Sequence, residues 1–520
     1  MRPLGLLVFL AGLCEASRLF IKPENAVSYT DSRTPYPLNF TESQFANALG
    51  TSYWTATFLT ASDHHQYLIV SHALVSFLGD EKPDLTARYS VLDMTDASRL
   101  LIEYPSFGFK ALADDSVSTI QAWGEGPDFG FNFTFNATTR ALCRQEIGNI
   151  DNEHCRKDIL DAQNLGIDAF AINFDQYAWW SNGTVDRLFD NADELGFKIF
   201  FSFDMSGSYF SSPDQYAAYL DDHLSRESYY TYNGRVIPSF YQSTPSSTFF
   251  DKYPELDGML NWNSWPQIAE GKIIVSTDDD KTYQQAAKNS GKLFMMGLSP
   301  LQFKHFDPNN NWYRIGEQNL EYRFGQVLEV QPDMLEIQTW NDAGESHYMG
   351  NIWPEAMDGD AIPAYTDGYD HTGYWEVLPS FIQAWKRGDT TTEKMVPTNG
   401  ARAQGVFWHH TLLTTADCSS DGLGKPDGIN NAENVVTGVI LVAEGQTGLT
   451  VSALSGSAQL GTKDLVPGFN RFTFTDMTTG TVSVRVLSGD GVLAERPGPL
   501  QVLGSSSVCN YNYQVVGLSA

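Results

Sequence analysis

Gly166-Ile167-Asp168-Ala169-Phe170-Ala171-Ile172-Asn173 is answered thirty residues later by Gly196-Phe197-Lys198-Ile199-Phe200-Phe201-Ser202-Phe203. Each glycine stands where a helical pattern stops, and each is followed at once by a short apolar run. Between the two runs Val185, Leu188, Phe189, Ala192 and Leu195 recur at helical spacing and fall on one face. The same grammar returns with Gly291 before Leu293-Phe294-Met295-Met296. It returns again with the stripe Leu320, Phe324, Val327 and Leu328 before Met334-Leu335-Glu336-Ile337. Helices alternating with continuously apolar strands indicate parallel β-structure buried on both faces. The pattern predicts a (β/α)8-type, TIM-like barrel over residues 141–395, with a doubly wound sheet as the alternative.

Outside this region the pattern changes. Residues 18–140 read as an antiparallel β domain, with Tyr53-Trp54-Thr55-Ala56-Thr57-Phe58 and Gln66-Tyr67-Leu68-Ile69-Val70-Ser71 as a hairpin. Residues 396–520 carry β-runs such as Val436-Thr437-Gly438-Val439-Ile440-Leu441-Val442, broken by Gly, Asp and Thr clusters, and predict a C-terminal β-sandwich. A chain of 520 residues accommodates such a multidomain arrangement. The first residues read as a signal peptide, 1–17: Arg2 is basic, 4–13 is apolar, and Cys14-Glu15-Ala16 carries small residues at a cleavage position. Secretion is the expected localisation. No stretch is long and apolar enough for a membrane span.

The formal net charge of -30 repels phosphate backbones, so nucleic acid is excluded as an expected partner. A neutral substrate suits this surface, and aromatic residues, 13% of the chain, supply faces on which sugar rings stack. With Cys14 removed, Cys143, Cys155, Cys418 and Cys509 remain. Three pairings are open, and the expected one is Cys143–Cys155 with Cys418–Cys509. Sequons at Asn39, Asn132, Asn136 and Asn182 are compatible with glycosylation. No cysteine or histidine spacing fits a metal site, and no cofactor motif is present, so neither metal nor cofactor is expected. A monomer is expected.

In a (β/α) barrel, catalytic groups sit at the C-terminal ends of strands. There the sequence places Asn173, Asp175, Asp204, Ser299 and the run Trp340-Asn341-Asp342-Ala343-Gly344-Glu345-Ser346-His347-Tyr348. Glycoside cleavage needs two carboxyl groups, one to protonate the departing oxygen and one to activate water or attack carbon. Asp342 and Glu345 are such a pair, on a loop that Gly344 lets turn tightly.

That run resembles the Trp-Asn-Asp-Tyr-Gly-Glu-Ser-His-Tyr motif of glycoside hydrolase family 71, the fungal endo-1,3-α-glucanases or mutanases. Further segments are similar in order: Ala169-Phe170-Ala171-Ile172-Asn173, Phe200-Phe201-Ser202-Phe203-Asp204-Met205, and Leu256-Asp257-Gly258-Met259-Leu260-Asn261-Trp262-Asn263-Ser264-Trp265-Pro266. The run from Met295 to Pro300, the Asn311-Trp312 pair and Asp370-His371-Thr372-Gly373 also match. The resemblance covers residues 150–520. It implies a hydrolase acting on α-1,3-glucan with inversion, Asp342 as general acid and Glu345 as general base. It also implies substrate contacts at Asn173, Asp204, Trp265, His305, Trp312, Trp340, Asn341, His347, Tyr348, Asp370 and His371. Asp204 reads equally as a helix N-cap, and Trp265 and Trp312 equally as core. The hairpin at Tyr53–Val70 resembles part of the lipocalin-like AttH/hydroxyneurosporene-synthase domains.

Two departures from the family stand out. Its apolar first strand has no evident counterpart, since Ala141-Leu142-Cys143-Arg144-Gln145-Glu146 reads as too polar for a buried parallel strand. The region before Leu256 is short for a fifth strand, and Asn263 stands where the family has Asp. An incomplete barrel opens the alternative of a catalytically impaired glucan-binding protein, or of a fused gene model lacking the first strand.

Overall fold

The computed structural model describes residues 50–60, 66–76, 84–93, 100–103, 106–111, 119–125, 130–136, 140–174, 178–203, 213–232, 235–236, 246–254, 256–357, 359–489 and 491–520. The chain divides into two compact units, Met1–Thr138 and Thr139–Ala520. The signal-like segment, Cys14, Asn39, Asp175 and Asp204 lie outside the described residues.

The first unit is antiparallel. Strands β1 (Gly50–Thr60), β2 (Gln66–Ser76), β3 (Asp84–Asp93) and β4 (Leu100–Glu103) form one meander. Strands β5 (Ser106–Ala111), β6 (Thr119–Glu125) and β7 (Gly130–Asn136) form another, and Asn132 and Asn136 fall within β7.

The second unit is built on a parallel sheet. Its strands are β8 (Arg140–Glu146), β9 (Ala169–Phe174) and β10 (Lys198–Phe203). After the short ladder of β11 (Thr231–Tyr232) and β12 (Arg235–Val236), the sheet resumes with β13 (Gly258–Asn261) and β14 (Leu293–Leu298). A hairpin of β15 (Gln302–Asp307) and β16 (Asn310–Arg314) then precedes the last parallel strand, β17 (Met334–Ile337). The order is β10-β9-β8-β17-β14-β13, with every neighbour parallel. Helices Asn152–Leu165, Ser181–Leu195, Asp278–Ser290 and Asn319–Val330 supply the crossovers.

The glycine punctuation has a physical basis. Gly166, Gly196 and Gly291 end three of these helices at φ of 88°, 68° and 62°, a left-handed conformation that glycine adopts without a Cβ clash. The apolar runs that follow are buried on both sides: Phe170, Ile172 and Phe200 are fully inaccessible. Each such side chain contributes on the order of 1.5–3 kcal/mol.

The expectation about the first strand is overturned. Residues 140–146 form β8, and β8 sits between β17 and β9, the position that joins the two halves of the sheet. Ala141, Leu142 and Cys143 are fully buried there. Arg144 and Glu146 are tolerated because they come late, at the strand's C-terminal end, where their side chains find partners. Arg144 donates to Ser202 Oγ at 3.4 Å and to Asn173 Oδ1. The strand carries its own charge compensation rather than apolar bulk.

The sheet remains a partial TIM-like barrel. A fourth position is marked by a single parallel bridge, Ile199 with Tyr229, supported by Ile199 N–H to Ser228 O at 2.8 Å and Tyr230 N–H to Ile199 O at 2.7 Å. Before β13 the described chain forms a short helix, Phe249–Lys252, where the family resemblance implies a strand. Phe249 and Phe250 are buried there as helix residues.

The C-terminal sheets are β18 (Ala403–His410), β20 (Val436–Val442), β23 (Gly468–Phe474) and β26 (Tyr513–Ser519) against β19 (Leu412–Asp417), β21 (Leu449–Ser455), β22 (Ala458–Leu465), β24 (Gly480–Ser488) and β25 (Gly491–Ser505). Their shared core includes Phe407, Ile440, Val451, Val484 and Val486. The disulfide Cys418–Cys509 closes a separation of 91 residues. The other expected pair is not formed. Cys143 and Cys155 are free and buried, and their thiols turn to different carbonyls, Arg144 O and Ile150 O. Burial pushes the Cys155 thiol up to about 12 and the Cys143 thiol well above its ordinary range.

Candidate active site

The loop that leaves β17 returns sharply on itself. Asp342 N–H donates to Thr339 Oγ1 at 3.0 Å, and Asp342 Oδ1 accepts Glu345 N–H at 3.0 Å, capping the single turn Ala343–Glu345. An isolated bridge between Asp342 and His347 completes the loop. Tyr365 donates its hydroxyl to Gly344 O at 2.7 Å and holds the turn from above. The short Asp-x-x-Glu spacing therefore becomes two carboxyls on one side of one turn. Donor atoms of Asp342, Glu345 and His347 lie within 4.8 Å of one another.

The two carboxyls have different surroundings. Burial pushes the Asp342 carboxyl well above the usual range, and the charges of Glu345 and Glu146 push it the same way. Lys304 and the Glu345 N–H oppose this without reversing it. Glu345 is met by cation and amide: Lys304 Nζ lies 3.6 Å from Oε1, and Gln302 Nε2 donates to Oε2 at 3.2 Å. A pair of carboxyls with divergent environments is the arrangement that separates a proton-bearing acid from an ionised partner.

His347 is fully buried, and burial holds its ring well below the ordinary histidine range, hence neutral. Its Nε2 meets Ser299 Oγ, and its Nδ1 lies 3.3 Å from Gln302 Nε2. Because an amide NH2 only donates, Nδ1 is the acceptor and Nε2 carries the hydrogen. Both nitrogens are engaged, so His347 supports the loop rather than ligating a metal. Trp265, 3% exposed, meets the His347 ring edge-on at 5.3 Å, and the Arg314 guanidinium lies 5.2 Å from the centre of the indole. A second cluster, Asp151, His154 and Glu355, also places its donor atoms within 4.8 Å, but the His154 ring is stacked on Trp353 and bonded to Glu355.

Asn173 joins the site through its neighbours. At the end of β9 it donates to Glu146 Oε2 at 2.6 Å and accepts from Arg144. Trp312 is half-buried on β16, with the Arg314 guanidinium 4.9 Å from its centre.

Several of the residues expected to contact substrate engage other parts of the chain in this structure. Asn341 clamps β8: its Oδ1 accepts Glu146 N–H at 2.7 Å and its Nδ2 donates to Glu146 O at 3.0 Å. Trp340 is 1% exposed and packs between Phe170 and Trp375 in the core. His305 is pinned by Asn311 Oδ1 at 2.8 Å and Asp421 Oδ2 at 2.9 Å. Tyr348 donates to Tyr369 O at 2.6 Å, stacks on His371 and receives Asn512 Nδ2 at 3.1 Å, which places it against the C-terminal sheets. His371 is buried between the carbonyls of Tyr348 and Tyr513, and burial pushes it down to about 4. Asp370 is exposed and caps a turn through Thr372 N–H at 2.8 Å. Asn182 is exposed at the start of its helix, and its side-chain oxygen accepts Tyr219 OH at 2.9 Å.

Four residues of the site were not singled out in the sequence: Arg144, Glu146, Gln302 and Lys304. Arg144 lies 4.3 Å from the centre of the Trp262 ring as well as bonding Asn173 and Glu146. The sequence signal for Gln302 and Lys304 is their alternation with Phe303 and His305, a period-2 pattern with one polar face.

Comparison with known proteins gives a consistent result. Residues 142–252 and 236–520 match the family model described as glycosyl hydrolase family 71. A glucan endo-1,3-alpha-glucosidase of Schizosaccharomyces pombe is 29% identical over 405 residues, which is 68% of this chain and 88% of that protein. A mutanase of Penicillium rubens is 25% identical over 393 residues, 70% of this chain and 84% of that protein. Among solved structures, a family 99 endo-alpha-mannosidase from Bacteroides thetaiotaomicron is similar over 46% of this chain and 80% of its own, at 15% identity and a TM-score of 0.37, a likeness too loose to bear on the argument.

Proposed function

The chain belongs to glycosyl hydrolase family 71, and from that premise we propose that it hydrolyses the α-1,3-glucosidic bonds of fungal cell-wall α-glucan. The observation that carries the chemistry is the turn that sets the Asp342 and Glu345 carboxyls side by side at the end of β17. Asp342 is the general acid: it gives its proton to the departing glycosidic oxygen as the bond to the anomeric carbon breaks. Water adds to that carbon and loses its proton to a carboxylate base. Trp312, half-buried on the hairpin face that carries Lys304, supplies an aromatic face near the pair, and the buried Trp265 packs behind it against His347.

The identity of the base turns on spacing. An inverting pair stands about 6.5–9.5 Å apart, leaving room for sugar and water. The Asp342 and Glu345 donor atoms lie within 4.8 Å, which is tighter. Glu345 fills the base role only if substrate entry parts the two. A second reading rests on the charge of Glu146 acting on Asp342: Glu146, at the end of the adjacent strand, takes the water's proton and Glu345 remains the neighbour of Asp342.

Purified protein incubated with insoluble α-1,3-glucan is expected to release reducing sugar, and NMR of the first product is expected to show inversion. Full activity in Asp342→Asn overturns the assignment of the acid. Azide restores activity only to the alanine variant of the true base, which separates Glu345 from Glu146. Pull-down by the polymer without product identifies a glucan-binding protein instead. Export belongs to the same proposal and rests on residues 1–17 alone. Secreted protein whose first residue lies near 18 supports it, and protein retained in cells with residues 1–17 intact opposes it.

A further inference from the structure

The hairpin β15–β16 has two faces with different tasks. Gln302 is paired with Arg314 and Lys304 with Trp312, so these four side chains share one face. Phe303, His305, Asn311 and Tyr313 share the other. That back face is fastened to the C-terminal part of the chain. His305 bonds Asp421 at 2.9 Å, the Tyr313 and Tyr513 hydroxyls meet at 2.9 Å, and Tyr313 N–H donates to Asp427 O at 2.7 Å. Phe303 and Tyr313 are fully buried. The hairpin is therefore held rigidly from behind and presents its polar front to the catalytic loop.

On the front face, orientation is settled by hydrogen bonding. Arg314 Nη1 donates to Gln302 Oε1, which leaves the Gln302 NH2 to point away from Arg314, toward Glu345 and His347. Lys304 reaches the other Glu345 oxygen at 3.6 Å. An amide NH2 and an ammonium are donors only, so both Glu345 oxygens face groups that can donate and cannot accept. These two partners suit a carboxylate, and neither offers a carboxylic acid an acceptor for its hydrogen. Asp342 has no comparable cation at hydrogen-bonding distance among the described contacts. Its Oδ1 takes one backbone N–H.

We propose that Gln302 and Lys304 are positioning residues that hold Glu345 as the ionised member of the pair, so that the pair's proton resides on Asp342. The proposal rests on the reading of Asp342 as the general acid. It explains how two carboxyls on one turn take opposite roles, and why the hairpin is anchored through the C-terminal sheets: its fixed geometry transmits to Glu345. The charged and titratable groups around the pair are Asp342 and Glu345 on the turn, His347 beyond it, Glu146 at the end of β8, Lys304 on the hairpin with Arg314 behind it on Gln302, and Tyr365 on the helix Pro363–Thr366. Tyr365 stays protonated because burial and the two carboxyls push it above its ordinary range. His347 is neutral. Among the described contacts, Lys304 meets Glu345 as a cation at 3.6 Å.

Two measurements on the full chain test this. First, the pH profile of kcat/KM on soluble α-1,3-gluco-oligosaccharides is compared for the parent, Lys304→Met, Lys304→Arg and Gln302→Leu. Removing the cation raises the Glu345 pKa, so with Glu345 as the base the acidic limb of the Lys304→Met profile moves to higher pH by roughly 0.5–1 unit, and Lys304→Arg restores it. Gln302→Leu lowers kcat more than it alters KM. Second, the Glu345 carboxyl is titrated directly by 13C NMR in an Asp342→Asn background, with and without Lys304→Met. A higher Glu345 pKa in the lysine variant supports the proposal whether or not the oligosaccharide is a substrate. Superimposable titrations overturn it. A parent protein that cleaves no α-1,3-glucoside defeats the proposed substrate, and the titration then decides the positioning role independently.

Discussion

Two acidic sites at the parallel sheet treat buried charge in opposite ways. Asp280 and Arg323 form a bidentate pair that is completely shielded from solvent, with contacts of 2.6 and 3.1 Å. Asn261 Nδ2 adds a bond to Asp280 at 2.7 Å, and Arg323 Nε donates to Gly297 O at 3.0 Å. This site ties the helices Asp278–Ser290 and Asn319–Val330 to β13 and β14. Asp342 has a like-charged neighbour instead of a bidentate cation, and burial raises its carboxyl. Where charge is matched atom by atom, a buried carboxylate is structural. Where a carboxyl is crowded by another and left without a full partner, its proton is available for chemistry.

The largest expected effect comes from Asp342→Asn. Loss of the general acid is expected to lower kcat by about 10²–10⁴-fold while the thermal midpoint stays level or rises, since a repulsive neighbour is removed. A falling midpoint with modest loss of rate would place Asp342 with Asp280 as a structural residue. Arg323→Ala is expected to give the opposite signature: unfolding free energy drops by about 3–5 kcal/mol, and the turnover of the protein that remains folded is unchanged. The double replacement Asp280→Leu with Arg323→Met should recover much of that loss in chemical denaturation, because no unpaired charge is left behind.

Glu321 lies between the two cases. It is 2% exposed, one of its oxygens lacks a hydrogen-bond partner, and burial pushes it up to about 8. Asp158 is raised to about 6, also by burial. A carboxyl raised on folding binds its proton more tightly in the folded state, so stability is highest below the unfolded value and falls as pH rises toward the folded one. The buried rings of His371, His409 and His410 are pushed down to about 4, and they cost stability as pH falls from 6.5 toward that value. Thermal midpoints measured from pH 4 to 9 are therefore expected to peak near pH 6. Glu321→Gln should flatten the alkaline side of that peak, and an unchanged decline would remove Glu321 from the account. The smallest effect is expected at Asp151, whose side chain caps the helix Asn152–Leu165 through His154 N–H at 2.8 Å. Asp151→Ala should cost about 1 kcal/mol in denaturation and leave activity alone.

The sequence was most legible where a local rule is strong. Glycine stops followed by apolar runs located β9, β10 and β14, because left-handed termini and two-sided burial leave few alternatives. The Asp342-x-x-Glu345 turn was legible for the same reason. It failed at β8, where the polarity of Arg144 and Glu146 was weighed without the partners that Asn173 and Ser202 supply across the sheet. Residue type alone did not show that His305, Trp340, Asn341, Tyr348, Asp370 and His371, expected as substrate contacts, bond or pack against neighbours within the chain. Pairing Cys143 with Cys155 followed proximity in sequence, whereas the strand and helix direct their thiols to different carbonyls.

By itself, then, the sequence determined the alternation of helices with buried strands, the β-rich flanks and the two carboxyls on one turn, since these depend on period, capping and spacing within a few residues. Only the tertiary structure decided which of those groups meet. It brought Glu146 beside Asn341 across 195 positions of chain, and it turned Gln302 and Lys304 onto Glu345. The physical reason is that a carboxyl's protonation depends on the burial and charges around it, and those are supplied by strands remote in sequence.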